Sequence, residues 1–256
     1  MAIIQIASPQ NATLKRAVKL RTRRGREDQQ RIIIDGQREL EHALSSDIEF
    51  EAIFCPENEP AERWFDRVPD VYVVADRAFE KLAFGNRREA VGIAKTPQRE
   101  LHQLALPPQP RLGVLEGIEK PGNMGAIMRS ADGAGLDALI MIDLRTDLFN
   151  PNAIRASLGT IFSLQVATAT FGEYQQWIQN RPLHQYLAIC DADAVDYRHV
   201  NSSQECAIVL GNEAVGLSDH WRSIENATPV VIPMRGSADS LNVASAAAVF
   251  FYRFMS

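Results

Sequence analysis

The stretch RLGVLEGIEKPGNMGAIMRSADGAGLDALIMID, residues 111 to 143, decides the fold class. It opens on an apolar run and passes through a loop holding Gly117, Gly122, Asn123 and Gly125. A helix-compatible segment carrying Arg129 follows, and the stretch closes on a second apolar run, ALIMID at 138 to 143. Strands buried on both faces lose the in-and-out alternation of a half-exposed sheet, so two short continuous apolar runs joined by a helix predict parallel strands. A parallel pair needs such a crossover, and the stretch supplies one.

The pattern extends in both directions. Downstream, IFSLQVA (161–167), YLAIC (186–190), CAIVLG (206–211) and PVVIP (229–233) read as further strands, with helices at 172–180 and at VASAAAVFFYRFM (243–255). Upstream, residues 96 to 110 carry four prolines and three glutamines, which places a linker over residues 98–110 and a second domain over 111–256. Residues 1–97 form a smaller α/β module, with strands at 31–34, 50–55, 71–75 and 90–95 and helical stretches at 37–44, 60–67 and 77–84.

Composition bounds the function. The chain has 256 residues, 46% of them hydrophobic, which suffices for a real core without staples. Cys55, Cys190 and Cys206 are odd in number and far apart, so neither a disulfide framework nor a zinc site is expected, and a reducing cytoplasm fits. The opening MAIIQIASPQN has no basic leader or long apolar core, and no run of about 18 apolar residues occurs, so neither secretion nor a membrane span is expected. The net charge of −5 opposes indiscriminate polyanion binding, yet residues 15 to 31 hold eight Lys or Arg against Glu27 and Asp28. Lys15, Arg16, Lys19, Arg21, Arg23, Arg24 and Arg26 are therefore candidates for phosphate contacts; a plain solvated helix face accounts for the run equally well.

In open α/β sheets ligands gather beyond the carboxyl ends of strands. Three loops there stand out: residues 117–125, LGNEAVGLS (210–218), and IPMRGSADSLN (232–242). A dinucleotide site is disfavoured because Gly122, Gly125, Gly133 and Gly135 do not make G-x-G-x-x-G at the turn, and no triphosphate-binding G-x-x-x-x-G-K-[ST] occurs. Ser218, Ser240 and Asn242 are each also good helix N-caps, so every loop alone has a purely structural explanation.

Taken in order, N-x-G-A-I-x-R, L-G-N-E-x-x-G-L and I-P-M-x-G-S-x-x-S-L-N-V-A-x-A resemble the three motifs of the SpoU (TrmH) family of SPOUT RNA methyltransferases. The resemblance covers residues 111 to 256. It implies an α/β fold tied in a deep trefoil knot, a homodimer, and transfer of a methyl group from S-adenosylmethionine to a ribose 2'-hydroxyl of structured RNA, without a metal. By the same resemblance Arg129, Asn123, Glu213, Ser240 and Asn242 are the catalytic set. Leu210, Gly211, Asn212, Gly216, Ile232, Met234, Ser240 and Leu241 would hold the cofactor.

The first hundred residues resemble the family's N-terminal RNA-binding module, through SPQNATLKRAVKL and IIIDGQRELEHAL, the latter with Asp35 where Glu is usual. Two domains and a basic segment imply large-subunit ribosomal RNA rather than tRNA; a tRNA enzyme and a catalytically silent RNA-binding member remain the alternatives. Arg129 is the residue the family assigns to activating the hydroxyl. A guanidinium stays protonated, so an electrostatic role toward the developing alkoxide is the better chemistry. The small residues Ala244 to Ala248 would let the last helix pack closely through the knot or on a second subunit, with Phe250, Phe251, Tyr252 and Phe254 anchoring it in the core.

Overall fold

The computed structural model describes residues 3–85, 88–181, 183–191, 193–201 and 205–255. Its elements in chain order are β1 (Ile4–Ile6), α1 (Ala12–Lys19), α2 (Arg23–Gln29), β2 (Arg31–Asp35), α3 (Gln37–Leu44), β3 (Phe50–Pro56), β4 (Asp70–Val74), α4 (Asp76–Phe79), β5 (Val91–Lys95), β6 (Arg111–Glu116), α5 (Pro121–Ala134) and β7 (Ala138–Ile142). They continue with α6 (Pro151–Ala156), α7 (Thr160–Ser163), β8 (Val166–Ala169), α8 (Phe171–Ile178), β9 (His184–Ala188), β10 (Val195–Asp196), β11 (Cys206–Leu210), β12 (Ala227–Val231) and α9 (Val243–Met255). The chain divides into two compact units: Met1–Gln98 with Phe149–Ser163, and Arg99–Leu148 with Leu164–Ser256.

In the first unit the described strands form a sheet of order β1-β4-β3-β5-β2. β1, β4 and β3 run parallel, whereas β5 is antiparallel to both β3 and β2. Helix α1 shows why a basic segment folds here. Asn11 caps it, accepting from Leu14 N at 3.1 Å, and the buried Leu14 and Ala17 put one stripe against Phe54 and Phe79 while Lys15, Arg16 and Lys19 face outward.

The second unit carries the parallel sheet that residues 111–143 predicted, with order β10-β12-β9-β11-β6-β7-β8 and every described pairing parallel. Strands β6, β7 and β11 are buried almost throughout, which explains their unbroken apolar runs. Helix α9 packs on α5, closely enough that a Cβ at Gly133 would lie 2.9 Å from the Tyr252 hydroxyl. Phe250, Phe251 and Phe254 are buried as expected; Tyr252 is not, being 58% exposed.

Three expectations are corrected. The run IFSLQVA is not one strand: Leu158 and Gly159 turn at positive φ, residues 160–163 close as α7, and β8 begins only at Val166. A short apolar run fits a buried helix turn as well as a strand. The residues following Gln98 are not a free linker, because Arg99 O accepts from Thr168 N at 2.7 Å and Ala105 exchanges hydrogen bonds with the Gln165 side chain, laying the segment along β8. Finally, residues 149–163 were expected inside the C-terminal domain but pack with the first unit. Phe149 and Phe162 stack there, and Arg155 bonds Asp35 at the end of β2 at 3.0 Å.

Candidate active site

From β6 the chain steps through β7 to β8 at one edge of the sheet, whereas β11, on the other side of β6, is followed by β12 two places further the other way. The loops leaving the neighbouring strands β6 and β11 therefore diverge, and this reversal is where α/β sheets open a crevice for a ligand. Gly117 O, at the end of β6, accepts from Asn212 Nδ2 across it at 2.8 Å.

The loop after β11 is a self-supporting hook. Asn212 and Gly216 exchange backbone hydrogen bonds of 3.1 and 3.0 Å, while Asn212 Oδ1 accepts from Ala214 N and Val215 N at 2.9 and 3.2 Å. A Cβ at Gly211 would come within 2.2 Å of the Gly216 carbonyl carbon, so no other residue fits without opening the hook. Glu116, buried at the end of β6, closes the exit of the loop. It accepts from Ser218 N at 2.8 Å and from the Ser218 hydroxyl at 2.7 Å. That hydroxyl is thus engaged with Glu116, so the helix-capping bond expected of Ser218 is not made to the short 3₁₀ helix that follows.

The three predicted loops meet at Asn123, in the first turn of α5. Its amide donates to Glu213 Oε1 at 2.9 Å, and its carbonyl oxygen accepts from Asn242 Nδ2 at 3.3 Å. Asn242 also caps α9, accepting from Ala244 N at 2.9 Å. Burial pushes the Glu213 carboxyl up, but the Asn123 amide and the backbone N–H groups of Glu213, Glu119 and Lys120 outweigh it and hold the group below the ordinary glutamate value. A carboxylate belongs at this helix start, where the backbone N–H groups of α5 have no intrahelical partner. Glu119 joins the same corner, accepting from Asn212 at 3.2 Å and from Arg145 at 2.8 Å.

Asn123, Glu213, Asn242 and Asn212 are therefore brought together. Arg129 and Ser240 are not: both are exposed, and neither bonds another described side chain. Leu210 is buried at the end of β11 and Gly216 closes the hook. Gly211, Ile232, Met234 and Leu241 make no backbone hydrogen bond to another described residue, which leaves donors and acceptors of both loops available to a ligand. This fits a cofactor gripped largely through main-chain groups. Glu116, Glu119 and Arg145 were not foreseen; an acid closing the apolar run RLGVLE was the one signal in the sequence.

The seven basic candidates of the first unit separate by geometry. Lys15, Arg16 and Lys19 are exposed along α1. Arg23 and Arg24 are exposed but paired within α2 to Glu27 and Asp28, at 2.7 and 3.5 Å. Arg21 and Arg26 are corrections, since both turn inward. Arg21 holds Asp35 and Leu82 O, and Arg26, 5% exposed, donates to Leu20 O at 2.7 Å. Among the described residues no group of three His, Cys, Asp or Glu is placed to hold a metal, and no helix is long and apolar enough to cross a membrane.

Comparison with known proteins adds to this geometry. Residues 111–252 match the SpoU rRNA methylase family, and residues 11–91 match the MRM3-like substrate binding domain. The chain is 35% identical over 173 residues to the 23S rRNA (uridine(2479)-2'-O)-methyltransferase of Streptomyces viridochromogenes, a match that spans 64% of this chain and 58% of that enzyme. It is 27% identical over 254 residues to the 23S rRNA (guanosine(2553)-2'-O)-methyltransferase RlmP of Bacillus subtilis (strain 168), covering 97% of this chain and 98% of the relative. Among solved structures, an RNA 2'-O ribose methyltransferase aligns with a TM-score of 0.84 and 33% identity over 98% of both chains. An AdoMet-bound rRNA methyltransferase from Sinorhizobium meliloti aligns with a TM-score of 0.87 and 25% identity, covering 98% of this chain and 97% of that one.

Proposed function

The chain belongs to the SpoU rRNA methylase family, and on that premise we propose that it methylates the 2'-hydroxyl of a ribose in large-subunit ribosomal RNA, using S-adenosylmethionine. The observation that carries the reading is the junction Glu213–Asn123–Asn242, which joins three sequence-distant loops where the sheet reverses direction. The choice of ribosomal RNA over tRNA is supported by the names of the relatives and by the two-unit layout they match along almost their whole length.

S-adenosylmethionine brings a methyl group on a cationic sulfur, which needs no metal to be electrophilic. The hook at residues 211–218 and the open main chain of residues 232–241 are the elements that would hold and orient it. Arg129 acts on the other reactant. Its guanidinium stays protonated and is a poor base, so its part is to hydrogen-bond the 2'-oxygen as negative charge develops there and to fix a neighbouring phosphate, which accepts the proton. An exposed Arg129 suits that role, since the RNA, and a second subunit in the homodimer included in this reading, approach from solvent. The trefoil knot belongs to the same reading, as part of the family resemblance. Lys15, Arg16 and Lys19 are the favoured phosphate contacts, with Arg23 and Arg24 beside them.

The test is to incubate the purified protein with S-adenosylmethionine and unmodified 23S-type ribosomal RNA, and to map 2'-O-methylation. The reading expects one discrete site. Methylation of tRNA alone would overturn the substrate, and binding of RNA without any transfer would favour a silent member of the fold.

A further inference from the structure

Phe54, Trp64, Phe65 and Phe84 are indistinguishable in the sequence as partners for an RNA base, but the structure separates them. Phe54 and Trp64 are 1% and 0% exposed, Phe65 is half-buried, and Phe84 is 42% exposed. Phe84 is also mounted unlike an ordinary surface side chain. The Arg155 guanidinium carbon lies 3.4 Å from its ring centroid, a stacking distance, and that of Arg21 lies at 6.0 Å. Both arginines are themselves fixed. Arg155 donates to Asp35 at 3.0 Å and to Asn152, while Arg21 donates to Asp35 at 2.6 Å and to Leu82 O at 3.0 Å. Asp35 is buried, so the ring rests on a rigid cationic support rooted in the unit's core.

We propose that the solvent-facing side of Phe84 is a stacking site for one unpaired RNA base, a proposal that rests on the RNA-methylating function above. A base gains from an aromatic face whatever its identity, and a ring already immobilised loses little further freedom when the base arrives. The setting favours RNA over a protein partner. Two guanidiniums lie within 6.0 Å of the ring centroid against one carboxylate, and Arg21 ties the ring's own segment to the end of α1, where Lys19 is exposed. A nucleotide stacked on Phe84 would keep its phosphates beside that positive charge. The subsite would hold a splayed base of a loop or bulge, since paired bases offer no free face.

The experiment measures binding of the full chain to deproteinised 23S-type ribosomal RNA at several salt concentrations. Phe84→Ala and Phe84→Leu should each weaken binding about tenfold, within the range for losing one stacked base, and Phe84→Trp should restore it. The salt slope should not change, because stacking releases no counterions. The triple variant Lys15→Gln/Arg16→Gln/Lys19→Gln, by contrast, should lower the slope. The leucine variant keeps apolar bulk without a π-face, so its weakness would not be a folding defect. Wild-type affinity in Phe84→Leu, with the triple variant weakened, would overturn the stacking site and leave the RNA-binding reading standing. A change in oligomeric mass with unchanged RNA affinity would overturn it in favour of a protein contact. Failure of the wild-type chain to bind this RNA would remove the functional reading, and the stacking site with it.

Discussion

Glu116 and Ser218 lie 102 residues apart and meet through two hydrogen bonds, one from the serine backbone N–H at 2.8 Å and one from its hydroxyl at 2.7 Å. This bidentate grip ties the end of β6 to the exit of the loop after β11 and so sets the shape of the hook. Ser218→Ala removes one charged hydrogen bond and should weaken S-adenosylmethionine binding by about 1.5 to 3 kcal/mol. Calorimetric titration checks this, and a variant that binds like wild type would mean that the Asn212–Gly216 pair holds the hook alone.

The proposed mechanism assigns Arg129 to the reacting end of the site and not to the cofactor grip. Arg129→Ala should lose methyl transfer by about 100-fold or more, the scale for removing a preorganised electrostatic donor, with cofactor affinity unchanged. Arg129→Lys should recover little, because one ammonium cannot reproduce the guanidinium fork. Single-turnover incorporation beside equilibrium cofactor binding separates the two effects.

Asp35 is 4% exposed and accepts from two arginines. Asp35→Asn leaves both guanidiniums facing a neutral amide and should cost about 3 to 5 kcal/mol of stability, the usual penalty for breaking a buried pair. The unfolding midpoint of the first unit in urea would report it. A loss below about 1 kcal/mol would mean that water replaces the carboxylate.

The Glu213 carboxyl sits below its ordinary value in the folded chain, so the fold favours its ionised form. That contribution is fully present above the unfolded glutamate pKa, about 4.3, and is lost as pH falls through the depressed folded value. Glu213→Gln should therefore narrow its stability deficit relative to wild type as pH drops from 7 toward 3. A deficit that stays constant over this range would contradict the assignment.

Burial pushes the Cys55 thiol up to about 12 and the Cys206 thiol to about 11, whereas Cys190 is exposed. Thiolates carry out alkylation, so iodoacetamide at pH 8 should label the native chain once, at Cys190, and all three positions after denaturation. Intact-mass measurement counts the labels. Labelling at Cys206 in the native protein would indicate that β11 opens locally.

How much the sequence revealed follows from where each signal was stored. Strands β6, β7 and β11 were legible because burial on both faces writes itself as unbroken apolar runs. The loops were legible because hooks and caps demand Gly, Asn and Ser. The direction of an arginine is not written locally: Arg21 and Arg26 share one basic run with Lys15 and Lys19, and only the presence of Asp35 and Leu20 O decides which turn inward. Glu116 was missed for a similar reason, its partner being supplied by a distant loop. Residues 149–163 were misassigned because their apolar side chains mark burial without naming the unit that buries them.

That misassigned segment bears on how the protein is made. The first unit is completed by α6 and α7, which follow its own N-terminal stretch by some fifty residues of the second unit. A ribosome delivers the chain from its N-terminus, so residues 1–98 emerge long before their remaining partner. During synthesis Asp35 waits without Arg155, and Phe84 without the guanidinium on which it rests. The first unit of this protein thus reaches its final form only after the start of the second unit, including α5, has been translated.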